Sequence, residues 1–203
     1  MANLGAHGEA RVKPHLVMIV SPSLNRQTIA LVGLMGVGKS SVGRRLAAAL
    51  AMPFRDADTE VEAAAGRSVS DIFAQFGEGA FREGERRVIA RLLEEPPHVL
   101  ATGGGAFVNA ETRALIRQKT VSVWLKADLE VLARRLARRD NRPLLTGKDP
   151  LTVLQALARE RYDAYGEAHL VVETGDTAHQ VAVDAIIRAL AERAAAETPA
   201  EAR

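Results

Sequence analysis

Gly33-Leu34-Met35-Gly36-Val37-Gly38-Lys39-Ser40 fits the pattern G-x-x-x-x-G-K-[ST] at every position. Glycines allow a tight loop whose backbone N–H groups point inward at phosphate oxygens. A helix that starts where such a loop ends adds the positive end of its dipole. In this reading Gly36, Val37, Gly38, Lys39, Ser40 and Ser41 hold the phosphates of a nucleotide, ATP. Lys39 bridges the outer phosphates as a mobile charge, and the Ser40 hydroxyl is a compact neutral ligand for Mg²⁺.

Asp56 and Asp58 stand two apart at the expected end of a short strand. In extended chain such residues point to one side, so both carboxylates would face the nucleotide. One suits water-mediated magnesium binding. The other suits accepting, or orienting, a hydroxyl proton during phosphoryl transfer. Gly103-Gly104-Gly105 also follows a strand and permits close backbone approach to a ligand. Arg82 and Arg161 sit on expected helices, where a solvated surface role is the bland default. Arg142 falls in a charged loop, from which an arginine can swing over phosphates when a lid closes.

The elements that must position these residues alternate. Thr28 to Val32 is a strand, and an amphipathic Ala/Leu segment runs from the loop to Leu50. Pro53 to Arg55 starts a second strand. Helices are expected over 59–65, 69–76 and 78–95, with Gly66, Gly77 and Pro96-Pro97 as stops. His98 to Ala101, Val121 to Leu125 and Leu170 to Val172 are strands. Between and after them come helices over 111–117, 128–138, 151–165 and 181–194. This alternation predicts an α/β fold: about five parallel strands covered by helices on both faces. Ligands in such sheets bind outside the carboxyl ends of the strands. The loop, the aspartates and the glycine triplet should therefore share one edge.

Composition agrees with one globular domain. The chain has 203 residues, 47% apolar and 26% charged, with only 4% aromatic, so Ala, Leu, Val and Ile must build the core. The net charge of +2 is too small to suggest nucleic acid, and the absence of cysteine excludes disulfides and thiolate metal sites. No apolar run approaches the ~20 residues of a membrane helix. Leu16 to Val20 is too short for a secretory signal and is followed by Pro22. Residues 1–25 are expected to be a mobile tail, 26–195 a single kinase domain with a lid at about 139–149, and 196–203 a second tail. A cytoplasmic location is the default expectation.

Taken together, the residues resemble the shikimate kinase family, small enzymes of the nucleoside-monophosphate-kinase type. GLMGVGKSS, FRDAD ending at Asp58, FREGE around Arg82, ATGGG, RPLL starting at Arg142 and RYDAYGEA starting at Arg161 occur in the family's order. The resemblance covers roughly Thr28 to Leu190. The resemblance implies a three-layer P-loop NTPase fold with a mobile lid. It implies ATP and shikimate as substrates, Mg²⁺, and 3-phosphoshikimate and ADP as products, on the route to chorismate and the aromatic amino acids. It further implies Asp58 as the base that contacts shikimate hydroxyls. Arg82 and Arg161, with the backbone N–H of Gly104, would grip the shikimate carboxylate, for which a planar guanidinium fork is suited. Lys39 would hold the ATP phosphates, Arg142 would touch them from the lid, and Ser40, with Asp56 through water, would serve magnesium. Family members are usually monomers.

Two features depart from the pattern. The segment Gly175-Asp176-Thr177-Ala178-His179 lacks the arginine that the family often places near adenine. The first 25 residues match nothing in it. Two alternatives stand beside the resemblance: a kinase of the same fold acting on gluconate or a nucleoside monophosphate, and a regulator that binds ATP without turnover. A pair of arginines flanking a glycine triplet suits a small carboxylate better than a nucleotide base.

Overall fold

The computed structural model of the chain describes residues 26–137 and 148–197. The expected N-terminal tail, most of the expected lid and residues 198–203 lie outside the described residues.

Five strands form one sheet: β1 (Thr28–Val32), β2 (Phe54–Asp56), β3 (Val99–Ala101), β4 (Thr120–Ala127) and β5 (Leu170–Thr174). Their order is β2-β3-β1-β4-β5, and every pairing is parallel. The central strand β1 reads TIALV and is buried at all five residues. A strand without a polar face needs cover on both sides. That cover comes from the helices α1 (Lys39–Ala49), α2 (Ala57–Ala65), α3 (Val69–Leu92), α4 (Ala110–Lys119), α5 (Leu129–Leu136), α6 (Pro150–Gly166) and α7 (His179–Glu197). A 3-10 turn, Ala106–Val108, follows the glycine triplet. The core is aliphatic, as the composition requires, with Ile29, Leu31, Leu46, Ile89, Leu100, Leu125 and Leu132 almost fully enclosed.

Local chemistry explains where the helices begin. Asp149 caps α6 by accepting from Thr152 N at 2.8 Å, and Pro150 occupies the first turn, where its missing N–H is harmless. Ser68 caps α3 and Asn109 caps α4 in the same way. Within α3 the backbone leaves helical geometry at Gly77, with φ 80° and ψ 174°, which separates the two helical runs the sequence suggests.

One placement differs from the sequence reading. β2 ends at Asp56, and the chain is already helical at Ala57. The Asp56 carboxylate accepts from Asp58 N at 3.2 Å and caps α2. Asp58 therefore occupies the first turn of a helix rather than the end of a strand, and the two-residue alternation of extended chain does not relate the two carboxylates. The cap outweighs strand continuation because it satisfies an otherwise orphaned helix N–H.

Candidate active site

The phosphate loop joins β1 to α1 as expected. Gly33, Gly36 and Gly38 all have positive φ. Gly38 is the N-cap of α1 in left-handed conformation, without a side-chain cap and with no acid in the following turn. The helix thus opens with donors that none of its own carboxylates competes for, an arrangement suited to an anion. Lys39 folds back over the loop: its Nζ donates to the carbonyls of Gly33 at 2.8 Å and Leu34 at 3.0 Å. Ser40 and Ser41 are half-buried in the first turn.

The glycine triplet meets this loop directly. A Cβ on Gly104 would lie 3.5 Å from Met35 N and 3.7 Å from the Gly33 carbonyl oxygen. The carboxyl ends of β1, β2 and β3 therefore deliver loop, aspartate and triplet to one edge, as parallel pairing demands. A cavity of about 100 Å³ opens there, lined by Met35, Asp58, Phe81, Arg82, Gly103 and Arg161 among others. A larger cleft of about 490 Å³ between α2 and α3 is mainly apolar and receives none of the loop residues.

Two of the glycines are required by close approach. A Cβ on Gly103 would sit 1.9 Å from Glu85 Oε1, and one on Gly105 would sit 2.5 Å from the Arg82 guanidinium carbon. Any side chain at either position would displace the charged groups packed against it. Gly104 takes a different part: its carbonyl accepts from Arg161 Nη1 at 3.1 Å and from the Tyr165 hydroxyl. Arg161 is only 6% exposed, far from the surface role its helix suggested. What holds it there is aromatic packing. Trp124 on β4 packs edge-on against Tyr162 at 5.0 Å and also touches Tyr165, which fixes the face of α6 that carries Arg161.

The electrostatics centre on Arg82 and Glu85. Arg82 Nη1 donates to Glu85 Oε2 at 2.7 Å, while Nε and Nη2 both donate to Glu78 Oε1. Burial pulls the Arg82 guanidinium down, but the two carboxylates outweigh it and hold it above its ordinary value. Burial pushes the Glu85 carboxyl up, against the opposing pull of Arg82, and nearby Asp58 adds to the rise. The two directions are compatible, since Arg82 keeps partial access to water and Glu85 does not. Glu85 Oε1 is buried with no hydrogen-bond partner among the described residues. Burial likewise pushes the Tyr165 hydroxyl up to about 12, so it stays a neutral donor to Gly104.

Asp58 lies on the cavity wall, exposed, with Oδ1 3.2 Å from the position of a Gly103 Cβ. Asp56 is half-buried as the cap of α2. Arg142 lies outside the described residues. Sequence reasoning passed over two residues of the site. Glu85 had a signal: it falls in the apolar stripe Phe81, Glu85, Val88, Leu92, all buried, and an acid in such a stripe asks for a partner. Tyr165 stands one helical turn after Arg161, so both reach the same carbonyl.

A five-stranded parallel sheet with a phosphate loop at its central strand, facing an arginine-lined cavity with an exposed carboxylate, defines a P-loop kinase of small molecules. Comparison with known proteins narrows the class. Residues 35–191 match the family model described as shikimate kinase. A shikimate kinase of Caulobacter vibrioides is 75% identical over 167 residues, covering 82% of this chain and 84% of that protein. One from Zymomonas mobilis is 54% identical, covering 85% and 99%. The structure of shikimate kinase from Acinetobacter baumannii in complex with shikimate superposes with a TM-score of 0.81 at 36% identity, over 84% of this chain and 97% of that one. The chain belongs to the shikimate kinase family.

Proposed function

We infer that the protein transfers the γ-phosphoryl group of ATP to the 3-hydroxyl of shikimate, giving 3-phosphoshikimate and ADP. The observation that carries this reading is the juxtaposition of a complete phosphate loop with a small cavity holding one exposed carboxylate and two arginines. An acceptor with a carboxylate at one end and hydroxyls at the other suits that polarity. Arg82 and Arg161 receive the carboxylate and turn the hydroxyls toward Asp58 and the loop. Asp58 accepts the proton as the acceptor oxygen bonds to the γ-phosphorus and the bond to the ADP oxygen breaks. Lys39 leaves the Gly33 and Leu34 carbonyls for the phosphates, following the charge. Arg142 has the expected role of a further phosphate contact.

Among the described residues no cluster of three or more acids or histidines could hold a metal by itself. The donor set present is the Ser40 hydroxyl and the Asp56 carboxylate, whose Oδ1 already serves α2. This fits Mg²⁺, which keeps several waters and is bound through one or two protein groups plus substrate phosphates. When bound with ATP, the ion would neutralise charge on the phosphates. No described helix is long and apolar enough to cross a membrane.

The test is a coupled ADP-release assay with Mg²⁺ and ATP, run with shikimate beside gluconate and nucleoside monophosphates. Shikimate-dependent turnover is the expected result. Turnover with gluconate or a nucleotide alone would assign the site to another acceptor, and ATP binding with no acceptor turnover would leave a regulator.

A further inference from the structure

Arg82 has two carboxylate partners of different kinds. Glu85 is 2% exposed and holds Nη1 from beneath, with the guanidinium laid against Gly105. Glu78 is 52% exposed and takes the opposite part of the fork, where Nε at 3.2 Å and Nη2 at 3.0 Å share the single oxygen Oε1. Glu78 directly follows the break at Gly77, so it stands in the first turn of the second helical run and reaches Arg82 across one turn. The parallel pair of donors best shaped for an incoming carboxylate is therefore already taken by an acid of the chain itself.

We propose that Glu78 is an internal competitor for the acceptor's carboxylate, a specificity-setting residue that must yield the Arg82 fork before the acceptor is held. This rests on the reading that Arg82 receives that carboxylate. Three observations make Glu78 the partner that leaves. It is solvent-exposed, so its carboxylate regains water when released. Its hold is through one oxygen, weaker than a two-oxygen clasp. Arg82 would not lose its place, because Glu85 and the close fit over Gly105 remain. Through Arg82, Glu78 also sets a second negative charge beside a cavity whose wall already carries Asp58, which opposes any anion. The contact thus weakens acceptor binding and disfavours anions too weakly bound to displace it.

The experiment compares the full chain with Glu78→Gln and Glu78→Ala. In both variants the KM for shikimate should fall by about threefold, the scale of one half-exposed ion pair, with kcat and the KM for ATP unchanged. The neutral methyl ester of shikimate should show no such gain, because it has no carboxylate to claim the fork. An unchanged or raised KM in both variants would overturn the proposal, since Glu78 would then be idle or a support for Arg82. An equal gain with the ester would overturn it as well. Wild-type turnover of shikimate is measured first: its absence defeats the functional reading itself, whereas turnover with an unshifted KM defeats only the role of Glu78.

Discussion

The two halves of the site are built differently. The phosphate side of the proposed site is one uninterrupted stretch, Gly33 to Ser41, which offers chiefly backbone donors. The acceptor side of that proposal draws on the start of α2, the second run of α3, the loop after β3 and the middle of α6, and it offers side chains. A local turn and a helix start suffice for the first. The second exists only after β1, β2 and β3 have paired and Trp124 has seated α6. Damage on the two sides should therefore separate cleanly, nucleotide affinity on one and acceptor affinity or turnover on the other.

The sharpest separation is expected from Asp58→Asn. Loss of the proposed proton acceptor should lower kcat by about 10²-fold or more, within the range usual for general bases, while nucleotide binding by equilibrium titration stays intact. A comparable loss of ATP affinity would show that the two sides are not independent. Next is Arg161→Ala, which removes a buried donor to Gly104. The KM for shikimate should rise by about 10- to 100-fold, the scale of a charge-assisted hydrogen bond, with the KM for ATP little changed. Gly103→Ala probes the crowding beneath the acceptor. Its Cβ would overlap Glu85, so unfolding in urea should reveal a loss of about 1–3 kcal/mol, together with weaker shikimate binding. Wild-type stability in that variant would mean that Glu85 has room to swing away.

The smallest effect lies far from both sides, at the opposite end of the sheet. Ser122 N donates to His169 Nδ1 at 3.1 Å, so that nitrogen must be an unprotonated acceptor. Burial, then Arg193 and Arg117, lower the pKa of the ring below its ordinary value of 6.5, and Glu197 only partly opposes them. The unfolded chain therefore takes up the proton first as pH falls. The neutral ring contributes its full stability above 6.5 and loses it as pH drops from there through the folded pKa. Urea midpoints should fall modestly over that window, and His169→Gln should flatten the slope. A slope unchanged by the substitution would assign the pH dependence elsewhere. Activity per folded molecule should not follow this transition, because neither half of the site touches His169.

How much was legible follows the same division. The loop could be read from spacing alone, since its function is a property of consecutive backbone. Strand and helix alternation was readable because β1 and β4 are nearly unbroken apolar runs and the helices carry recognisable caps. Arg82 and Arg161 looked like surface charges in isolation, and only their company of motifs suggested otherwise. Glu85 was hidden because acids on helices are usually solvated. Its place in an apolar stripe has meaning only once the stripe is known to face the triplet and the 3-10 turn after it.

The sequence by itself determined the parallel α/β order, the phosphate loop and the family, because each rests on local pattern or on the order of motifs. Tertiary structure alone decided that Asp58 lies in the first turn of a helix, that Arg161 and Tyr165 share the Gly104 carbonyl, and that Arg82 is held between a buried and an exposed acid. The physical reason is burial. A charge takes its role from the water it loses and the partner it gains, and both are fixed only when distant segments pack together.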